Sequence, residues 1–370
     1  MSYCINPRCP NPRNPVDIDS HFCRHCGSCL LLFDGYRAAR IMSDNSGFAI
    51  VYEISDGTTH KILKALKPAH NENKKVVELF RQEASLLSQL RHPGIPKVEA
   101  NSYFLYTPRD GGEPLHCFVM EKIEGPTLKE WMHQQGNLLI SERQALHWIK
   151  QLAEILQVVH QQNFLHRDLK LQNIMLRPNG QLVLIDFGAA REISYSYLAR
   201  TGVSRPGAKI SSAGYTPPEQ AKGHAVPQSD FYALGRTFIY LLTGQQFGEG
   251  NVLYDPLTDK LNWRKYALDI SSEFADFLDR LMASKASDRP KDAGEIIKTV
   301  NQLLQSARDR HPPNNGRRIP LTDLHLSPDS PTLTQGTQDS SNRHLTLASL
   351  AIAWVAVWGQ RELVNLSHPL

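Results

Sequence analysis

Two hydrophobic periods divide the chain. Up to about residue 120 the apolar residues come in short strand-like runs: FAIVYEIS (48–55), THKILKALK (59–67) and LHCFVMEKI (115–123). One helix interrupts them. In NKKVVELFRQEASLLSQL the residues Val76, Leu79, Phe80, Ala84, Leu87 and Leu90 recur at helical spacing, and the run stops before RHPGIP. From about residue 127 the helical period dominates. Ser141 and Gln144 form a predicted capping box ahead of ALHWIKQLAEILQVVH. NIML, RPNG and QLVLID then read as a hairpin, with Asn179-Gly180 supplying positive φ at its turn. Helical patterns follow near 229–243, 272–284 and 292–306. Residues 307–344 lose their large apolar groups and read as a disordered linker, and 345–358 (LTLASLAIAWVAVW) are continuously apolar.

The composition is that of an ordinary globular protein: 370 residues, 41% hydrophobic, 21% charged. A net charge of +4, spread along the chain, gives no reason to expect a nucleic-acid partner. The opening MSYCINPRCP has no apolar core, so a cytoplasmic, reducing location is expected. The cysteines are lopsided: Cys4, Cys9, Cys23, Cys26 and Cys29 crowd the start, while Cys117 stands alone and reads as a small buried apolar residue.

The chemistry concentrates in HRDLKLQN (166–173) and DFG (186–188), joined by the hairpin. In that order and spacing they resemble the eukaryotic-type (Hanks-type) serine/threonine protein kinases, over roughly residues 36–305. The resemblance implies an α+β, bilobal kinase fold with a small β-rich N-lobe and a larger helical C-lobe. It also implies a site for ATP and magnesium or manganese, with proteins as substrates.

Phosphoryl transfer requires positioned phosphates, a metal to offset charge and an acceptor for the hydroxyl proton. By resemblance Asp168 is that acceptor, Lys170 contacts the transferred phosphate, and Asn173 and Asp186 are magnesium ligands. Lys64 would hold the phosphates and pair with Glu83, ahead of the rivals Lys61 and Lys67; a solvated surface pair is the bland alternative. Met120 and Glu121 fall at the hinge beside the adenine pocket. Glu219 is expected to pair with Arg289, and Asp230 to tie the catalytic-loop backbone. Arg167 and the hydroxyls from Ser194 to Ser212 suggest a phosphate-read activation segment whose modified residue is not readable.

The phosphate loop departs from the family pattern. The glycine positions of GxGxxGxV fall on Asp44, Ser46 and Ala49, with Val51 in place and one glycine, Gly47, between the last two. Backbone N–H groups survive these exchanges, but access to left-handed backbone and close approach should suffer. Asp44 adds a carboxylate near the phosphates. An inactive scaffold or nucleotide sensor is therefore the alternative to an active enzyme. Ser46, Gly47 and Val51 are the expected nucleotide contacts of the loop.

In the first 33 residues Cys4 and Cys9, then Cys23 and Cys26, form two thiol pairs fit for tetrahedral zinc. So short a segment should depend on the metal to fold. The prefix resembles the four-cysteine, zinc-ribbon-like module ahead of many cyanobacterial kinases, a place for a regulatory partner; a disulfide pair and a redox thiol set are the rivals. Cys29 is surplus, and His21 and His25 are lesser ligand candidates.

The expected organisation is thus a prefix (1–33), a kinase domain (36–306), a linker (307–344) and an apolar segment (345–360). As a helix, 345–358 would span about 21 Å, short of the ~30 Å hydrocarbon core. Membrane anchoring, interfacial lying and docking on the kinase domain all stay open for it.

Overall fold

The computed structural model describes residues 1–17, 19–44, 47–192, 214–245, 253–255, 260–267 and 269–310. The three strand-like runs join two further strands in one antiparallel sheet: β1 (Arg37–Ser43), β2 (Ala49–Ser55), β3 (His60–Leu66), β4 (Tyr103–Tyr106) and β5 (Leu115–Glu121). Their order is β1-β2-β3-β5-β4. Period-two alternation sorts the side chains onto two apolar faces. Leu66, Phe118 and Met120 pack toward α1 (Lys74–Gln89) and the helical lobe. Tyr52, Ile54, Leu63, Ala65, Cys117 and Val119 form the opposite face, so Cys117 is buried as expected.

That second face needs a cover, and the cysteine-rich head supplies part of it. Ile5 joins its apolar cluster, the Tyr3 amide donates to Ala38 O at 2.8 Å, and the Tyr106 hydroxyl donates to Cys29 O at 2.9 Å. Asn6 Nδ2 reaches Ser28 Oγ at 3.0 Å and Asp110 Oδ2 at 3.3 Å. The head thus belongs to the unit that also holds both lobes. Its own cluster is small (Cys4, Cys9, Val16, Cys23 and Leu30), and the sheet provides the rest of the apolar burial. The sheet thus gives the prefix an apolar partner in addition to its thiol cluster.

The helical lobe is built from α2 (Leu128–Gln134), α3 (Glu142–Gln161), α4 (Pro218–Ala221), α5 (Pro227–Thr243), α6 (Ser272–Leu281) and α7 (Ala293–Arg310). Three local readings change. Ser141 accepts the Gln144 amide at 3.2 Å, but the full reciprocal capping box is at Thr127 and Glu130. At the hairpin turn Gly180 has positive φ and Asn179 does not, because Pro178 starts a turn that the Gly180 amide closes onto Arg177 O at 2.9 Å. Finally, α7 continues through 307–310, where the linker was expected to begin. The rest of the linker and the apolar segment 345–360 lie outside the described residues. Among the described residues no helix is long and apolar enough to cross a membrane.

Candidate active site

Lys64 points from β3 to the α1 side of the sheet. Its Nζ donates to Glu83 Oε1 at 2.6 Å and to Asp186 Oδ1 at 2.9 Å. Lys64 is 7% exposed and Glu83 5%, which excludes the solvated surface pair. Burial opposes the ammonium charge, but Asp186 and Glu83 outweigh it and hold Lys64 above the usual lysine value. Lys64 in turn holds Asp186 down to about 2, against the effect of burial. The rivals are occupied elsewhere: Lys61 reaches Glu99 at 3.4 Å, and Lys67 donates to Gly47 O at 3.1 Å.

The catalytic loop links β6 (Phe164–Leu165) to β7 (Ile174–Leu176), and β7 pairs with β8 (Leu182–Leu184). Within it Lys170 Nζ donates to the Asp168 carboxylate at 2.8 and 3.0 Å. Asn173 Nδ2 donates to Asp168 O at 2.8 Å and to Asp168 Oδ2 at 2.9 Å. With its amide nitrogen so engaged, Asn173 has its side-chain oxygen for a cation. Asp186 takes a left-handed backbone (φ 62°), and Phe187 packs edge-on against His166 with ring centroids 4.8 Å apart. Burial keeps the His166 pKa below its ordinary value, which suits a packing ring rather than an acid.

A buried carboxylate fixes this loop from below. Asp230, on α5, accepts the His166 amide at 3.0 Å and the Arg167 amide at 2.7 Å, as the sequence suggested. Arg167 is itself left-handed (φ 67°). His160 also donates to Asp230 at 2.8 Å, and Gln220 Nε2 donates to Arg167 O at 2.8 Å. Neither was singled out in the sequence. Gln220 directly follows Glu219 in the sequence, whereas His160 carries no local signal beyond lying at the end of α3. The Glu219–Arg289 pair is present at 2.6 and 3.2 Å, with the Ser229 hydroxyl donating to Glu219 at 2.8 Å.

At the hinge, Met120 is buried and the Glu121 side chain turns away from the strand. It accepts Arg177 Nη2 at 2.6 Å and the Lys97 amide at 3.0 Å. Any adenine contact of Glu121 therefore falls to its backbone. Arg177 was missed because its role comes from the fold, 56 residues away.

The phosphate loop departs less from pattern in conformation than in sequence. Asp44 and Ala49 do not have left-handed backbone, so the expected strain does not arise there. Ala49 lies in β2 opposite Leu66, and Val51 opposite Lys64. Among the described residues of the loop, positive φ falls on Gly47 (31°), a glycine that stands between the family positions. Ser46 lies outside the described residues, as do the hydroxyls from Ser194 to Ser212.

In the head, the thiols of Cys4, Cys9, Cys23 and Cys26 converge within 4.8 Å of one another. Cys4 and Cys26 are 3.6 Å apart at sulfur, Cys9 and Cys23 3.7 Å. A disulfide would need ~2.05 Å, whereas four thiolates at ~2.3 Å from zinc sit about 3.8 Å apart along each tetrahedral edge. Burial pushes the Cys4 thiol up and Cys9 to about 11; hydrogen bonding by Ser28 and Asn6 overcomes burial at Cys26 and lowers it to about 7. Cys29 lies apart, its thiol on Leu31 O at 3.4 Å. His21 and His25 are outside the cluster.

The chain matches the protein-family profile described as "Protein kinase domain" over residues 45–305. It is 32% identical over 321 residues to serine/threonine-protein kinase F of Synechocystis sp., covering 80% of this chain and 63% of that protein. To serine/threonine-protein kinase PknA of Nostoc sp. it is 35% identical over 279 residues, covering 73% and 47%. The chain thus spans between about half and under two thirds of these relatives. In fold it is similar to the kinase domain of Mycobacterium tuberculosis PknI: TM-score 0.55, 22% identity, 74% of this chain and 97% of that one.

Proposed function

Since the chain belongs to the protein kinase family, we propose that it transfers the γ-phosphate of ATP to serine or threonine hydroxyls of proteins. The observation that carries this is Lys64 held between Glu83 and Asp186, with Lys170 and Asn173 both donating to the Asp168 carboxylate. In this reading Asp168 accepts the hydroxyl proton and Lys170 meets the transferred phosphate. Lys64 holds the phosphates nearer the ribose. Magnesium offsets phosphate charge when bound, and its ligands would be the Asp186 carboxylate, which stays ionised, and the Asn173 amide oxygen. Gly47, Val51, Met120 and the Glu121 backbone would border the nucleotide, together with Ser46.

The loop exchanges favour weaker nucleotide binding over loss of activity, because positive φ falls on Gly47 and not on Asp44 or Ala49. The test is autophosphorylation with magnesium-ATP beside Asp168→Ala. We expect signal from the natural chain and a fall of roughly 10²- to 10⁴-fold in the variant. Equal background from both would overturn the enzyme in favour of a scaffold.

A structural zinc ion held by Cys4, Cys9, Cys23 and Cys26 is supported by the sulfur spacing. Metal analysis of the purified full chain should find about one zinc per chain; a content near zero after dialysis against buffer without chelator would overturn it.

A further inference from the structure

Asp44 is the oddity of the phosphate loop, a carboxylate at the rim of a site for three phosphates. Arg13 of the head is ion-paired with it. Arg13 sits in a turn closed by the Asn14 amide on Asn11 O at 3.2 Å. The side-chain amides of both flanking asparagines reach the His25 ring, Asn11 at Nδ1 (3.4 Å) and Asn14 at Nε2 (3.3 Å). His25 lies between Cys23 and Cys26, so the turn is clasped to a thiol knuckle. Just beyond the turn, Ser2 and Val16 exchange backbone hydrogen bonds of 2.7 and 2.8 Å. On the far rim of the loop, Lys67 donates from Nζ to Gly47 O at 3.1 Å and from its amide to Phe48 O at 2.8 Å. One rim is thus clamped by the residue that follows β3 and the other by the head.

We propose that Arg13 is a positioning residue for the nucleotide. It offsets the charge of Asp44 and fixes the first rim of the phosphate loop, so the cysteine head sets nucleotide affinity within the same chain. The consequence for affinity rests on the kinase reading; the coupling of head to loop does not. Arg13 touches no reacting atom, so its loss acts on nucleotide binding and spares the chemical step. Without it, Asp44 faces the phosphates with its charge unbalanced. The Arg13 side chain is 73% exposed, so solvent limits the effect, and added salt shrinks it further.

The experiment is a charge cycle in the full chain: Arg13→Gln, Asp44→Asn and both together. The readouts are the Kd of a fluorescent ADP analogue with magnesium, the ATP KM and kcat, and hydrogen exchange of residues 41–52 without nucleotide. Arg13→Gln should weaken binding about three- to tenfold with kcat within about twofold. In the Asp44→Asn background it should add nothing, and exchange of 41–52 should speed up on loss of Arg13 alone. An effect of equal size in both backgrounds, or none in either, overturns the charge argument. Unchanged exchange overturns the coupling. If the natural chain binds no magnesium-ADP, that counts against the kinase reading, and the exchange comparison decides the coupling by itself.

Discussion

The catalytic loop and the phosphate loop face the same site, yet they are held by different physics. The first hangs from a fully buried carboxylate: Asp230 takes the amides of His166 and Arg167, while Gln220 holds the Arg167 carbonyl. The second is held at its rims by exposed cations, Arg13 on Asp44 and Lys67 on Gly47 O. Buried, satisfied polar contacts tolerate little substitution. Exposed ion pairs are individually weak and exchangeable. The difference explains how the upper loop can depart from the glycine pattern while the motif below it is intact.

Four substitutions would break or sharpen this contrast. The largest effect should come from Asp230→Asn, which removes the charge from two backbone donors and His160 in a buried site. We expect a loss of about 3 kcal/mol of stability by denaturant titration. A cost below ~1 kcal/mol would mean that the catalytic loop is held by packing instead.

Next is the Glu219–Arg289 pair. Burial opposes the Glu219 charge, but Arg289 and Ser229 outweigh it and hold its pKa below the usual 4.5. A folded pKa below the unfolded one gives stability that is full above about pH 4.5 and is lost as pH falls through the folded value. Glu219→Gln should therefore lower Tm at neutral pH and flatten its decline between about pH 5 and pH 3. An equally steep decline in the variant would place the acid sensitivity elsewhere.

The smallest effect separates two positions of the phosphate loop. Gly47→Ala meets open space but forces a side chain onto positive φ, so ATP KM should rise several-fold, about 1 kcal/mol. Ala49→Gly sits in paired β2 and should stay within about twofold. The reverse ranking would show that the family glycine position, not the observed backbone, governs this loop.

Much of this was legible in the chain itself. The motifs HRDLKLQN and DFG locate Asp168, Asn173 and Asp186, and the helical period of α1 places Glu83 on the helix that follows the strand of Lys64. The four thiols were found by spacing and do converge. What escaped was long-range or short. Residues Tyr103–Tyr106 are too few to show a period, so β4 was unseen. The ties of Arg177 to Glu121, His160 to Asp230 and Arg13 to Asp44 join residues whose separation carries no sequence signature. The loop strain inferred from missing glycines did not arise at Asp44 or Ala49, because backbone shape follows local φ and not the family pattern.

The head's cover over the back of the sheet also has a consequence in time. Ile5 and the thiol pairs leave the ribosome first, but the face they rest on includes Cys117 and Val119 of β5. At 5–20 residues per second the head waits roughly 5 to 20 seconds for its resting place. During that interval it has no sheet to lie on. A metal-clasped head would spend that interval already shaped, ready to receive the strands as they arrive.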